Sequence, residues 1–151
     1  MRLCSRFCQL ALYPQHGKIN VYQHCVAVAY MSCRIAGALH LNVDYASLIR
    51  GALLHDYFLY DWHVPNAEHR LHGLRHPRRA LQNAREDFAL TPLEADIILR
   101  HMFPLTLVPP ACSEGWAVCM ADKLCALLET LRPAGSEPKG PYGGAPHPPV
   151  A

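Results

Sequence analysis

The sequence predicts an all-α fold, and three observations carry that expectation. Residues 20–39 place Val21, His24, Cys25, Val28, Ser32, Ile35 and Leu39 on one face, the 3.6-residue period of an amphipathic helix. No segment shows the strict alternation and β-branched enrichment of a strand, and no internal repeat appears. Residues that cap helix starts, Asp44 and Thr91, stand directly ahead of further apolar segments.

Taken in order, the elements follow from local chemistry. After the helix over 20–39, Asp44 caps a second that runs through Leu48, Ala52, Leu53 and His55. A polar loop with Asp61, Pro65 and Asn66 interrupts the chain. A third helix is expected over 76–88, with Pro77 in the first turn, where a missing N–H does no harm. Thr91, Pro92 and Glu94 together make a helix start, and that helix ends near His101. Residues 104–110 form a loop and 114–131 a last helix, giving about five to seven helices in all. Residues 133–151 are rich in Pro and Gly and read as a disordered tail outside a single domain of residues 1–132.

Composition narrows the function classes. Hydrophobic residues make up 51% and charged ones 17%, the balance of a globular protein with a real core. A formal charge of +2 is too small to predict general nucleic-acid binding. The seven cysteines include no C-x-x-C pair, and Cys25, Cys33, Cys119 and Cys125 fall at apolar helical positions. Free thiols in a reducing cytoplasm are therefore expected. No secretory signal is read at the start, and no stretch approaches the ~20 apolar residues that would cross a bilayer. The basic residues do cluster: Arg70, Arg75, Arg78, Arg79 and Arg85 share one window with no acid between His69 and Arg85. Arginine suits bidentate recognition of phosphate, and the window also reads as a solvated helix face.

The chemistry lies in polar residues on apolar faces. Asp122 sits amid Val118, Cys119, Cys125 and Ala126, where an ionised carboxylate is costly unless a positive group meets it. His24 lies on the apolar face of 20–39, and His55-Asp56 ends another apolar run. Singly, His24 reads as a hydrogen-bonded core histidine and Asp122 as a partner of Lys123 or an arginine. Jointly, segments far apart each directing a His or Asp inward point to a shared metal centre. The candidates are His24, His55, Asp56, His72, His76, His101 and Asp122, an imidazole and carboxylate set that suits iron or manganese. His40, His63 and His69 fall at helix ends or in loops and read as solvated.

The order His24, Leu54-His55-Asp56, His76-Pro77, His101 and Ala121-Asp122-Lys123 resembles the HD-domain superfamily of metal-dependent phosphohydrolases over residues 24–128. His76 and His101 resemble the extra histidines of its two-metal branches, which include the HD-GYP cyclic dinucleotide phosphodiesterases and bacterial diadenosine tetraphosphate hydrolases. The resemblance implies a compact HD-domain helical bundle. It also implies that His24, His55, Asp56 and Asp122 hold one ion and His76 and His101 a second, with Asp56 bridging. His72 stands as an alternative to His76. Two departures matter: no lysine follows the His-Asp doublet closely, and the Gly-Tyr-Pro signature is missing after His101.

The resulting expectation is a phosphohydrolase in which a metal-activated water attacks phosphorus, with Asp56 and His55 at the catalytic heart. One or two divalent ions are implied, iron or manganese first, with magnesium, nickel, cobalt and zinc also compatible. Arg75, Arg78, Arg79 and Lys123 are the candidates for the substrate phosphate. The expected partner is a small phosphorylated molecule such as a nucleotide, with no nucleic acid or membrane and with a homodimer left open. The alternatives are an HD-fold di-iron oxygenase cleaving a C–C or C–P bond, and a non-catalytic nucleotide-binding module.

Overall fold

A computed structural model describes residues 3–64 and 71–133. Within them lie six α-helices: α1 (Leu3–Cys8), α2 (Val21–Ala38), α3 (Tyr45–Leu54), α4 (His72–Asp87), α5 (Pro92–Arg100) and α6 (Ser113–Thr130). A 3₁₀ turn at Gln9–Leu12 and a small hairpin, β1 (Pro14–His16) with β2 (Ile19–Asn20), join α1 to α2. The all-α expectation holds. The tail beyond Pro133 and the loop positions Pro65, Asn66, His69 and Arg70 lie outside the described residues.

Capping chemistry sets most helix starts. Asn20 and Gln23 form a capping box at α2, and Thr91 and Glu94 form one at α5. At α3 the Asp44 carboxylate accepts from the Ala46 amide at 3.1 Å and the Ser47 hydroxyl at 2.7 Å. At α6 the Cys112 sulfur accepts from the Gly115 amide at 3.2 Å.

The exception is α4. It begins at His72 rather than His76, so Pro77 lies inside the helix and not in its first turn. Its N-cap, Leu71, adopts a left-handed φ of 62° and makes no side-chain cap, so no cap residue marks the start. The hairpin is a second correction, because no strand is expected from the sequence. Its strands of three and two residues, paired antiparallel across a turn with Gly17 at φ 59°, are too short for any periodic signal.

α2 packs between α6 and α3, and α5 lies against α3, α4 and α6. One apolar cluster joins Val28, Leu48, Ile97 and Val118, and a second joins Leu10, Val21, Tyr57, Phe58, Ala84 and Ile98. Every polar candidate named from the apolar faces of these helices is buried between or beside these clusters. No helix among the described residues is long and apolar enough to cross a membrane.

Candidate metal centre

Five helices deliver one or more side chains to a common point. His24 comes from α2, His76 from α4 and Asp122 from α6, while His55 and His101 are the C-cap residues of α3 and α5. Asp56 follows directly after α3, and all six are buried.

The two C-cap histidines show why the chain folds this way locally. The last carbonyls of a helix lack intrahelical donors. Nδ1 of His55 donates to the Ala52 carbonyl at 2.7 Å, and Nδ1 of His101 donates to the Ile98 carbonyl at 2.8 Å. Nδ1 of His76 donates to the His72 carbonyl at 3.0 Å. A carbonyl can only accept, so each of these rings carries its proton on Nδ1 and directs the Nε2 lone pair inward. Nδ1 of His24 instead faces the Glu129 carboxylate at 2.9 and 3.0 Å. An outer hydrogen bond that fixes the ring of a metal-binding histidine has this form.

The inner atoms fall into two groups that meet at Asp56. Its Oδ2 lies 3.8 Å from His24 Nε2 and 3.6 Å from His55 Nε2. Asp122 Oδ1 completes that group at 3.0 Å from His24 Nε2 and 3.6 Å from His55 Nε2. Asp56 Oδ1 faces the other way, 3.1 Å from His76 Nε2 and 3.6 Å from His101 Nε2. Two donors about 2.1 Å from one ion stand roughly 3.0–3.4 Å apart at ordinary coordination angles. The observed separations fit that range with small adjustments.

Three features require a cation or its proton substitute. His76 Nε2 and His101 Nε2 are 2.9 Å apart, yet both rings have committed a proton to Nδ1. Two lone pairs do not approach so closely without a positive group between them. His55 Nε2 and Asp56 Oδ1 are buried without any hydrogen-bond partner. The residues present therefore fit one or two divalent ions, with Asp56 lending one oxygen to each group.

The electrostatics agree. Burial opposes charge on His24, but hydrogen bonds to Asp122 and Glu129 push its pKa up to about 10. Burial and the charges of His55 and His76 hold His101 down to about 3. Against burial, the charges of His55, His76 and His101 hold Asp56 well below the usual carboxylate range. Asp122 is held down in the same way, against burial, by His24 and His55. The acids stay ionised in the interior, and the imidazoles offer them whatever positive charge no ion supplies.

A cavity of about 550 Å³ opens over the centre, and Asp56, His76 and Asp122 form its floor. Lys123 stands at its edge, its ammonium donating to the His101 carbonyl at 3.0 Å. His72 lines the wall without joining the ligand groups. Its ring stacks 4.6 Å from that of His76, and its Nδ1 pairs with the Tyr60 hydroxyl at 2.8 Å. The geometry thus favours His76 over His72 as the ligand.

The arginine run does not come to the centre. Arg75 and Arg79 line a separate cavity, and Arg78 lies with Arg85 against a third. At ~100° per helical residue, Arg75, Arg78 and Arg85 point ~100° or more away from His76, and Arg79, ~60° away, lines the separate cavity. Three residues that the sequence did not single out do reach the site. Gln15 donates from Nε2 to Asp56 Oδ2 at 2.8 Å and is itself held by the Trp62 indole N–H at 3.2 Å. His16 lies 5.8 Å from the ring of His24 and lines the cavity, and Glu129 anchors His24.

A family model described as HD domain matches residues 21–127, which run from the first residue of α2 into α6. No curated protein and no solved structure gives a match. The family is mostly one of metal-dependent phosphohydrolases, so the match suggests hydrolase-type chemistry at the buried cluster. The matched span holds all six converging ligands, and the chain belongs to the HD domain family.

Proposed function

We propose that the protein is a metal-dependent phosphohydrolase acting on a nucleotide or a small phosphorylated metabolite. The observation that carries the reading is the pair of ligand groups split across the two oxygens of Asp56. Two divalent ions, when bound, lower the pKa of water and offset charge on phosphate oxygens. The chain's residues supply the rest. Asp56, fixed by Gln15, sets the spacing of the two groups and offers the acceptor that orients an attacking water. Lys123 brings positive charge to the cavity edge, where a phosphate oxygen is expected. Trp62, stacked on His72 at 5.1 Å, offers a flat wall that a base can lie against. The buried cysteines Cys25, Cys119 and Cys125, none of them in a disulfide, suit a cytoplasmic setting.

A second reading has its own observation. Among the described residues lining the cavity, Lys123 alone carries a fixed positive charge, and Met102, Pro104 and Leu105 make one wall apolar. That environment also suits an iron-dependent oxygenase acting on a less charged substrate. Phosphate release from a nucleotide panel, measured without oxygen after manganese or iron loading, separates the two. Turnover there supports the hydrolase. Silence across the panel, with substrate-dependent oxygen uptake, overturns it.

A further inference from the structure

We propose that the substrate of the metal centre is a phosphate monoester whose organic part is a hydrocarbon chain, and that this chain lies on the apolar wall of the cavity. The proposal narrows the hydrolase reading and rests on it for the phosphate head. The cavity of about 550 Å³ is divided by chemistry. Asp56, His76 and Asp122 make the floor on which the head is held, and Lys123 stands beside them. The bonds of the Lys123 ammonium go to carbonyls and a thiol, those of His101 at 3.0 Å and of Cys119 at 3.4 and 3.3 Å, and not to a carboxylate. Its positive charge is therefore left for an anion. No second lysine or arginine among the described lining residues serves a longer chain of phosphates.

The apolar wall offers no side chain that donates a hydrogen bond. Met102, Pro104 and Leu105, from the segment after α5, line it together with Gly73 of α4 and Ala126 of α6. A Cβ at Gly73 would lie 2.8 Å from Leu105 Cδ2, so the glycine lets Leu105 seat directly on α4. A sugar hydroxyl or a base edge laid against this wall gives up water without gaining a side-chain donor. A hydrocarbon chain gains by leaving water there.

The apolar surface does not stop at the cavity. Leu105 is itself exposed, and Leu107 and Val108, just beyond it in the chain, are exposed as well. Leu71 and Leu74, on either side of Gly73, are exposed too. Single exposed leucines are ordinary, but these border lining residues on both elements and extend the wall outward. Because that surface is continuous with the cavity over the metal centre, its occupant is the tail of the molecule whose head sits on the floor.

Calorimetric titration of the manganese-loaded protein, without oxygen, with unbranched alkylphosphonates from methyl to octyl tests the assignment. A phosphohydrolase does not cleave their C–P bond, so binding alone is read. Affinity is expected to rise about two- to fourfold with each added methylene. Leu105→Ser is expected to cut the octyl-to-methyl affinity ratio about three- to tenfold. Leu39→Ser removes a similarly exposed leucine from the C-cap of α2, outside the cavity lining, and is expected to leave that ratio unchanged. Affinity that does not rise with chain length, absence of binding included, overturns the proposal, as does an equal cut in the ratio in both variants. Failure of the hydrolase reading shows elsewhere, as no phosphate release from any phosphoester, which this titration does not read.

Discussion

Glu129 does for His24 what backbone carbonyls do for the other three imidazoles: it holds the outer nitrogen so that the inner one is aimed. Glu129→Gln keeps the shape but removes the charge, and metal affinity is expected to fall about 10- to 100-fold with little change in fold. Competition against a chromophoric chelator measures it, and an unaltered affinity would remove Glu129 from the site. His101→Ala is expected to halve the metal stoichiometry, because His101 belongs to the group facing Asp56 Oδ1 while His24 and Asp122 do not. Retention of two ions per chain contradicts that division. The pKa of about 10 for His24 has a sign consequence. Raised above an unfolded value near ~6.5, it stabilises the ion-free fold fully below that pH and stops doing so as pH rises through about 10. Metal loading at neutral pH must then displace the Nε2 proton, so proton release in weak buffer and tighter binding at higher pH are expected. Much at this scale is legible in sequence. Asp122 and His24 betray themselves by sitting on apolar stripes, and Glu129, seven residues beyond Asp122 on the same helix face, carries a signal that spacing alone can expose. Gln15 and His16 carry none, because a three-residue strand has no period to violate.

Helix boundaries follow their caps. α2, α3, α5 and α6 begin or end within a residue or two of where Asn20, Asp44, Thr91 and Glu114 place them. α4 departs because Leu71 enters the helix through a left-handed turn rather than through a capping side chain. Helix contacts also fix individual residues. A Cβ on Gly51 of α3 would lie 2.7 Å from Ile97 Cδ1 on α5, and Ile97 is fully buried. Gly51→Ala is therefore expected to destabilise by about 1–3 kcal/mol despite improving helix propensity. Urea unfolding reads this directly, and a stabilised variant would mean that α3 and α5 do not approach so closely.

At the scale of the molecule, five helices and two apolar clusters enclose six ligands drawn from residues 24–122. An ion held there ties the chain together across almost its whole described length. Free metal at 100 times its dissociation constant stabilises by about 2.7 kcal/mol per site. For a chain of this size that is roughly 5–10 °C in Tm per site. Chelation is expected to lower Tm accordingly, and an unmoved melting curve would detach the centre from the fold. The convergence itself is readable in sequence, whereas the cavity and its apolar wall depend on where loops settle. The histidines that close α3 and α5 also rivet those helix ends through their bonds to the Ala52 and Ile98 carbonyls. Those bonds hold whatever the cluster binds, so replacing either histidine is expected to loosen its helix end even in a protein stripped of metal.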